Sequence, residues 1–162
     1  LTPNAPYHYA CDSQWWDLHY DDVRNNFNGV SYTINDSENG NRNPNKKYNL
    51  IRINSKQSPD LGEDIIHYGI PGGGNSGFQA VNLAYILGAK TILLLGFDMF
   101  GDHYFGRHPK KLDVVSPFKK FIESFRTITK DIEIINCSRM TDLNCFPKMR
   151  IESVLSSEQA HH

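Results

Sequence analysis

The residues able to do chemistry in this chain gather in two stretches. In the first, Gly72, Gly73, Gly74, Asn75, Ser76 and Gly77 precede an apolar run from Phe78 to Leu87. Glycines leave backbone N–H groups unscreened, and a helix starting here points its positive dipole end at the turn. A phosphate or carboxylate is the ligand such a turn holds, and Asn75 and Ser76 add an amide and a hydroxyl for phosphate or sugar oxygens. The same residues also suit tight turning, helix capping and close helix packing, so a purely structural use stays open. The turn is not a Walker A loop, because no Gly-Lys-Ser/Thr follows.

The second stretch reads Asp98-Met99-Phe100-Gly101-Asp102-His103-Tyr104-Phe105-Gly106-Arg107-His108-Pro109. An imidazole titrates near neutral pH, so His108 is a candidate general base or acid, and the planar fork of Arg107 suits a phosphate. Asp98 falls just past a strand's carboxyl end, the edge where open α/β sheets bind ligands. A solvated loop in which Asp98 caps a turn is the plainer reading. Asp98, Asp102, His103 and His108 are also metal-ligand types, although their spacing matches no fixed ligand pattern. A Mg²⁺ ion carried in with a nucleotide by Asp98 or Asp102 fits better than a tightly bound transition metal, and no tightly bound cofactor is expected. Asp12 likewise ends a strand and begins a helix, as a ligand-edge carboxylate or as a cap.

The elements that must position these groups follow from pattern. Tyr7 to Cys11 reads as a strand. Asp12 or Ser13 caps a helix carried by Trp15, Trp16, Leu18, Val23 and Phe27, and Asn28-Gly29 stops it. The tryptophans suit core and rim packing better than base stacking. Val30 to Ile34 and Leu50 to Ile53 are strands, separated by an apolar-free loop from Asn35 to Asn45, and Ile65 to Tyr68 reads as another strand. The run from Phe78 to Leu87 is apolar except for Gln79 and Asn82, which predicts a helix wrapped on most sides, with Gly88 as its carboxyl cap. Thr91 to Leu95 is a buried parallel strand. Ser116 caps a helix with Pro117 in its first position and Phe118, Phe121, Ile122, Phe125 and Ile128 along one face. Ile132 to Asn136 is a strand, and Ile151 to Leu155 a short helix.

Strands alternating with helices predict an α/β, Rossmann-like three-layer sandwich with a mainly parallel sheet. With 162 residues, 39% of them hydrophobic, the chain encloses one core, so one domain is expected over 1–155, with 156–162 as a tail whose histidines resemble a tag remnant. Seventeen Lys and Arg against 18 Asp and Glu provide no basic field for nucleic acid. Cys11, Cys137 and Cys145 lack any Cys-x-x-Cys spacing and read as reduced thiols. No apolar run approaches the roughly 20 residues of a membrane span and no signal peptide is visible, so a cytoplasmic protein is expected, with a homo-oligomer compatible.

Taken together, Gly-Asn-Ser-Gly before a buried helix, Leu-Gly-Ala-Lys-Thr-Ile-Leu-Leu-Leu-Gly-Phe-Asp-Met, Phe-Gly-Arg-His-Pro and Ile-Asn-Cys-Ser followed by Phe146-Pro147 carry a resemblance. The sequence resembles the Rossmann-like family of phage and bacterial proteins related to archaeal 6-hydroxymethylpterin diphosphokinases, from about Tyr7 to Leu155, and Asp12-Ser13-Gln14-Trp15-Trp16 fits the same pattern. It is more distantly similar to bacterial sialyltransferases of Rossmann-like fold. In those enzymes a Ser-Gly turn contacts a CMP-sugar donor and a histidine deprotonates the acceptor; the matching positions are Ser76, Gly77 and His108. The resemblance implies an α/β domain that binds a nucleotide or nucleotide-sugar and serves a glycosyl or diphosphoryl transferase, lacking here the amino-terminal strand and glycine turn of such folds. The acceptor is then a glycan hydroxyl or a hydroxymethylpterin. The alternative is a noncatalytic phage structural or interaction module that keeps the fold.

Overall fold

A computed structural model of the chain describes residues 4–35, 48–56, 70–71, 75–101, 116–128 and 131–159. Its elements are β1 (Tyr7–Tyr9), α1 (Ser13–Asn26), β2 (Val30–Asn35), β3 (Ile51–Lys56), β4 (Ile70–Pro71), α2 (Ser76–Ile86), β5 (Thr91–Leu94), α3 (Phe118–Arg126), β6 (Glu133–Asn136) and α4 (Ile151–Gln159). The protein is a mixed α/β fold, and every strand pairing among the described residues is parallel. Among the described residues the strands form a four-stranded sheet in the order β1-β2-β3-β4 and a two-stranded one of β5 and β6. Register is carried by Tyr7 against Val30, Tyr32 against Ile51, Ser55 against Ile70, and Thr91 against Glu133.

Local chemistry explains the helix ends. The Asp12 carboxylate caps α1 by accepting from the Gln14 N–H at 2.8 Å. Asn75 does the same for α2, its Oδ1 accepting from the Phe78 N–H at 2.7 Å. At the other end of α2, Gly88 takes a left-handed φ of +96°. Its N–H donates to the Tyr85 carbonyl while that of Ala89 reaches the Ala84 carbonyl, both at 3.0 Å. This pair of bonds closes a helix where a glycine removes the Cβ clash. α3 departs from expectation: Pro117, not Ser116, holds the cap position, without a side-chain cap, and Ile128 lies past the helix end. α4 continues to Gln159, four residues past the end anticipated at Leu155. The strand expected at Ile65 to Tyr68 lies outside the described residues, as does most of the Asn35 to Asn45 loop.

Helices cover both faces of each sheet. On one face of the larger sheet Ala10 packs with Trp16, Val23, Phe27 and Tyr48 of the α1 side, and the Trp16 Nε1–H donates to the Ala10 carbonyl at 3.0 Å. Trp16 is thus core, the packing role expected of it. On the opposite face Ile34 and Ile53 meet Leu83 and Ile86 of α2. The other side of α2 sends Phe78 and Val81 into a second cluster with Leu94, Phe125, Ile134 and Leu143. Phe125 of α3 stands edge-on to Phe78, Phe97 and Phe146, with centroids 5.5, 5.8 and 6.2 Å away. Leu93, Ile135 and Cys137 face the other way, against Val154 of α4. Among the described residues no helix is long and apolar enough to cross a membrane.

His8 introduces an acid-sensitive point into this packing. Its ring lies 5.2 Å from Trp15, 5.3 Å from Trp16 and 5.7 Å from Phe27, and its Nδ1 is buried with no hydrogen-bond partner among the described residues. Burial therefore holds its pKa below the ordinary 6.5. Below pH 6.5 the unfolded chain binds a proton that the folded chain refuses, so stability falls as pH drops through that value until the folded imidazole is itself protonated. Urea midpoints at pH 7.5 and pH 5 test this: a His8→Phe variant is expected to lose less stability on acidification than the parent. Equal losses would show that His8 is not the sensor.

Candidate functional site

Among the described residues, α2 starts close to where β1 and β5 end. Cys11, two residues past β1, places its Sγ 2.9 Å from the Ser76 Oγ in the first turn of α2. The Tyr9 hydroxyl donates to the Gln79 Oε1 at 2.9 Å, and burial raises the Tyr9 pKa, which keeps that proton on the donor. On the β5 side, a Cβ built on Gly77 would stand 2.9 Å from the Phe97 Cε1 and 3.3 Å from both its Cζ and the Asn75 Oδ1. Gly77 is therefore needed for the close approach of α2 to the loop after β5. The amino end of α2 is in contact with the carboxyl ends of both strands.

The anticipated residues that fall among the described ones take their places on this frame. Asp12 is exposed and caps α1; Asn75 is half-buried and caps α2. Ser76 faces Cys11, and Gly77 lies under the Phe97 ring. Asp98 is exposed, with its main-chain carbonyl accepting from the Asp142 N–H at 2.8 Å. Gly73, Gly74, Arg107 and His108 lie outside the described residues, together with Asp102 and His103. The structure thus brings Ser76, Gly77 and the start of the Asp98 loop together. Among the described residues no group of three or more His, Cys, Asp or Glu side chains could hold a metal ion.

The loop after β5 is held in an unusual conformation. Gly96 and Gly101 have φ of +73° and +68°, and Met99, which has a side chain, has +60°. A non-glycine residue in the left-handed region costs about 1–2 kcal/mol, offset here by Met99 packing against the Phe78–Phe125 cluster. The main chain of Phe97 is fixed from both sides, its N–H donating to the Ser138 Oγ at 2.8 Å and its carbonyl accepting from the Thr141 hydroxyl at 2.6 Å.

Those anchors depend on Asn136, which is fully buried at the end of β6. Its Nδ2 donates to the Thr141 Oγ1 at 3.2 Å and to the Leu143 carbonyl at 3.1 Å, and its Oδ1 accepts from the Ser138 N–H at 3.0 Å. One side chain therefore shapes the loop that supports Phe97 and Asp98. Sequence reasoning took Asn136 as the end of a strand and as part of the Ile-Asn-Cys-Ser motif, and assigned it no role in the site. The available signal was an amide ending an otherwise apolar strand, with small hydroxyl residues following it.

A cleft of about 780 Å³ opens beyond the carboxyl ends of β5 and β6, and Asp98 lines it with Leu95, Gly96, Ser138, Arg139, Lys148, Arg150 and Glu152. The three cations were not picked out from sequence, because they follow the strand at irregular spacing and only the fold gathers them. The Lys148 Nζ donates to the Arg139 carbonyl at 2.9 Å, and the Arg150 Nε lies 3.7 Å from the Glu152 Oε2. Cys137 also lines the cleft, and burial followed by the charge of Glu152 pushes its thiol pKa up, so it is a poor nucleophile.

Among the described residues the fold is a mixed α/β one with parallel strands, and polar residues follow the carboxyl ends of β1, β5 and β6. Comparison with family models, with curated proteins and with solved structures returns no match.

Two substitutions test this frame. Gly77→Ala drives a methyl into the Phe97 ring and is expected to cost about 1–3 kcal/mol of stability, as overpacking does. In a Phe97→Leu background the cost should shrink, giving a measurable coupling in a double-mutant cycle. Additive losses would mean that the two residues do not touch. Asn136→Ala leaves the Ser138 N–H and Leu143 carbonyl without their partner, at about 1–3 kcal/mol for each group left buried and unpaired. Limited proteolysis should then cut between Ser138 and Asn144, and resistance equal to the parent's would remove Asn136 from its organising role.

Proposed function

We propose that the two sheets are halves of a Rossmann-like three-layer sandwich, and that the chain is the nucleotide- or nucleotide-sugar-binding domain of a transferase. In this reading the sheets of order β1-β2-β3-β4 and β5-β6 join through β1 and β5, and the winding of the chain reverses between those two strands. Ligands of open α/β sheets bind in the crevice at that point, outside the carboxyl ends of the strands. The observation that carries the reading is the meeting of β1, α2 and β5 at Cys11–Ser76 and Gly77–Phe97, with Asp12 and Asp98 each following a strand end.

In this reading the phosphates rest on N–H groups between Gly73 and Gly77, where the dipole of α2 favours negative charge. Asp98 holds a ribose hydroxyl or a magnesium ion that accompanies the nucleotide. Arg107 stabilises phosphate charge, and His108 takes the proton from the acceptor hydroxyl. Glycosyl and diphosphoryl transfer both need this arrangement of an anion cradle and a base.

A second reading has an observation in its favour. Asn75 caps α2 and Gly77 admits Phe97, which gives the motif a structural purpose, as a noncatalytic module would require. Thermal unfolding with ATP and with CMP-, UDP-, GDP- and ADP-linked sugars, each with Mg²⁺, separates the two. The transferase reading expects one nucleotide class to raise the midpoint and an Asp98→Asn variant to reduce the rise. A flat response across the panel favours the module. Once a donor is identified, His108→Ala should retain its affinity and lose turnover by about 10²–10⁴-fold; unimpaired turnover removes the histidine from the reaction.

A further inference from the structure

The cleft beyond β5 and β6 lies on the opposite side of its sheet from α2. Leu94 faces α2, whereas Leu93 faces α4, and Leu95, two residues on from Leu93, lines the cleft. In a chain whose acidic residues outnumber its basic ones by one, the cleft gathers Arg139, Lys148 and Arg150 against the carboxylates Asp98 and Glu152. The Arg150–Glu152 pair is 85% and 69% exposed at its side chains, so water and salt weaken it and the guanidinium can turn to a better anion. Lys148, tied to the Arg139 carbonyl, keeps two further ammonium protons for a ligand. The loop carrying Arg139 is set by Asn136, so its backbone is organised before any ligand arrives. Leu95 and Met149, 56% and 43% exposed, leave apolar surface beside these cations, which a simple solvated charge cluster does not require.

We infer that this cleft binds an organic phosphate, with its oxygens against Arg139, Lys148 and Arg150 and its apolar body against Leu95 and Met149. A guanidinium fork pairs with phosphate oxygens in two parallel bonds, which gives the anionic end its orientation. The first turn of α4, through Ile151 and Glu152, borders the same space. A volume of about 780 Å³ suits a small organic molecule. As a phosphate site the cleft is independent of the nucleotide reading; only its use as the acceptor's subsite rests on that reading.

Phenyl phosphate and inorganic phosphate, titrated calorimetrically into the full chain, are the probes. Phenyl phosphate is expected to bind saturably and more tightly than inorganic phosphate. An Arg139→Gln/Arg150→Gln variant, changed only at exposed side chains, should weaken it at least about tenfold, because it removes the charge-assisted bonds to the phosphate, while the unfolding midpoint stays unchanged. Leu95→Ser should weaken phenyl phosphate alone. Absence of saturable binding, or affinity untouched by the double substitution, overturns the site. If the double variant also abolishes stabilisation by nucleotides, the cleft is the nucleotide's own phosphate site and the separate subsite is overturned. If nucleotide stabilisation survives while phenyl phosphate binding is lost, the separate site stands; a nucleotide panel without effect removes the other reading and leaves this one intact.

Discussion

The burial of α2 between two sheets is the constraint on which the rest depends. Each sheet has one face that this helix covers. The larger one needs Leu83 and Ile86, and the smaller one needs Phe78 and Val81, all from the same eleven-residue helix. An apolar helix interior without a solvent face is what lets one element serve two clusters. The requirement fixes more than stability. A helix pinned on both sides has its amino end fixed as well, so the polar residues of its first turn meet β1 and β5 at defined points.

The parts of the fold readable from sequence were those decided locally. Asp12 and Asn75 precede apolar helices and cap them, Gly88 ends one where a left-handed residue is required, and Phe125 takes its place from helical periodicity. The division into two sheets was not readable, because a β-branched strand such as Thr91 to Leu94 announces burial without naming its neighbour. The same limit applied to the candidate site. Ser76 and Asp98 stood out by type and position, whereas Asn136 looked like the last residue of a strand. Its importance comes from three contacts across seven residues of loop, and no periodicity encodes such contacts. Arg139, Lys148 and Arg150 stayed hidden because the bend of the chain after β6, not their spacing, puts them around one cleft.

The structural and ligand-binding accounts of the glycine turn are compatible at Gly77. A bare Cα there allows the Phe97 ring to lie against the start of α2, and that contact fixes where the main chain leaves β5. Phe97 is in turn held through its own N–H and carbonyl by Ser138 and Thr141, so it cannot retreat to make room for a larger residue. The left-handed Met99 two residues later is the local cost of turning the chain so soon after a strand. Packing and hydrogen bonds thus preset the edge before any ligand is considered, and a preset edge is what lowers the ordering cost of binding.

This chain of contacts also joins the two faces of the smaller sheet. The Phe97 side chain packs toward α2, while the next residue, Asp98, lines the cleft beside α4. Any shift of the 95–101 loop must therefore be felt at both places, since its main chain is bonded to the same Ser138–Thr141 loop that carries Arg139. A group bound against α2 and a group bound in the cleft would share one rigid support with a carboxylate at its rim. Two-substrate chemistry needs that geometry, because holding the reactants in a fixed relation removes much of the entropy cost of bringing them together. Whether the edge serves catalysis or recognition, its precision depends on the Asn136 amide and on the missing side chain at Gly77, neither of which need touch a ligand.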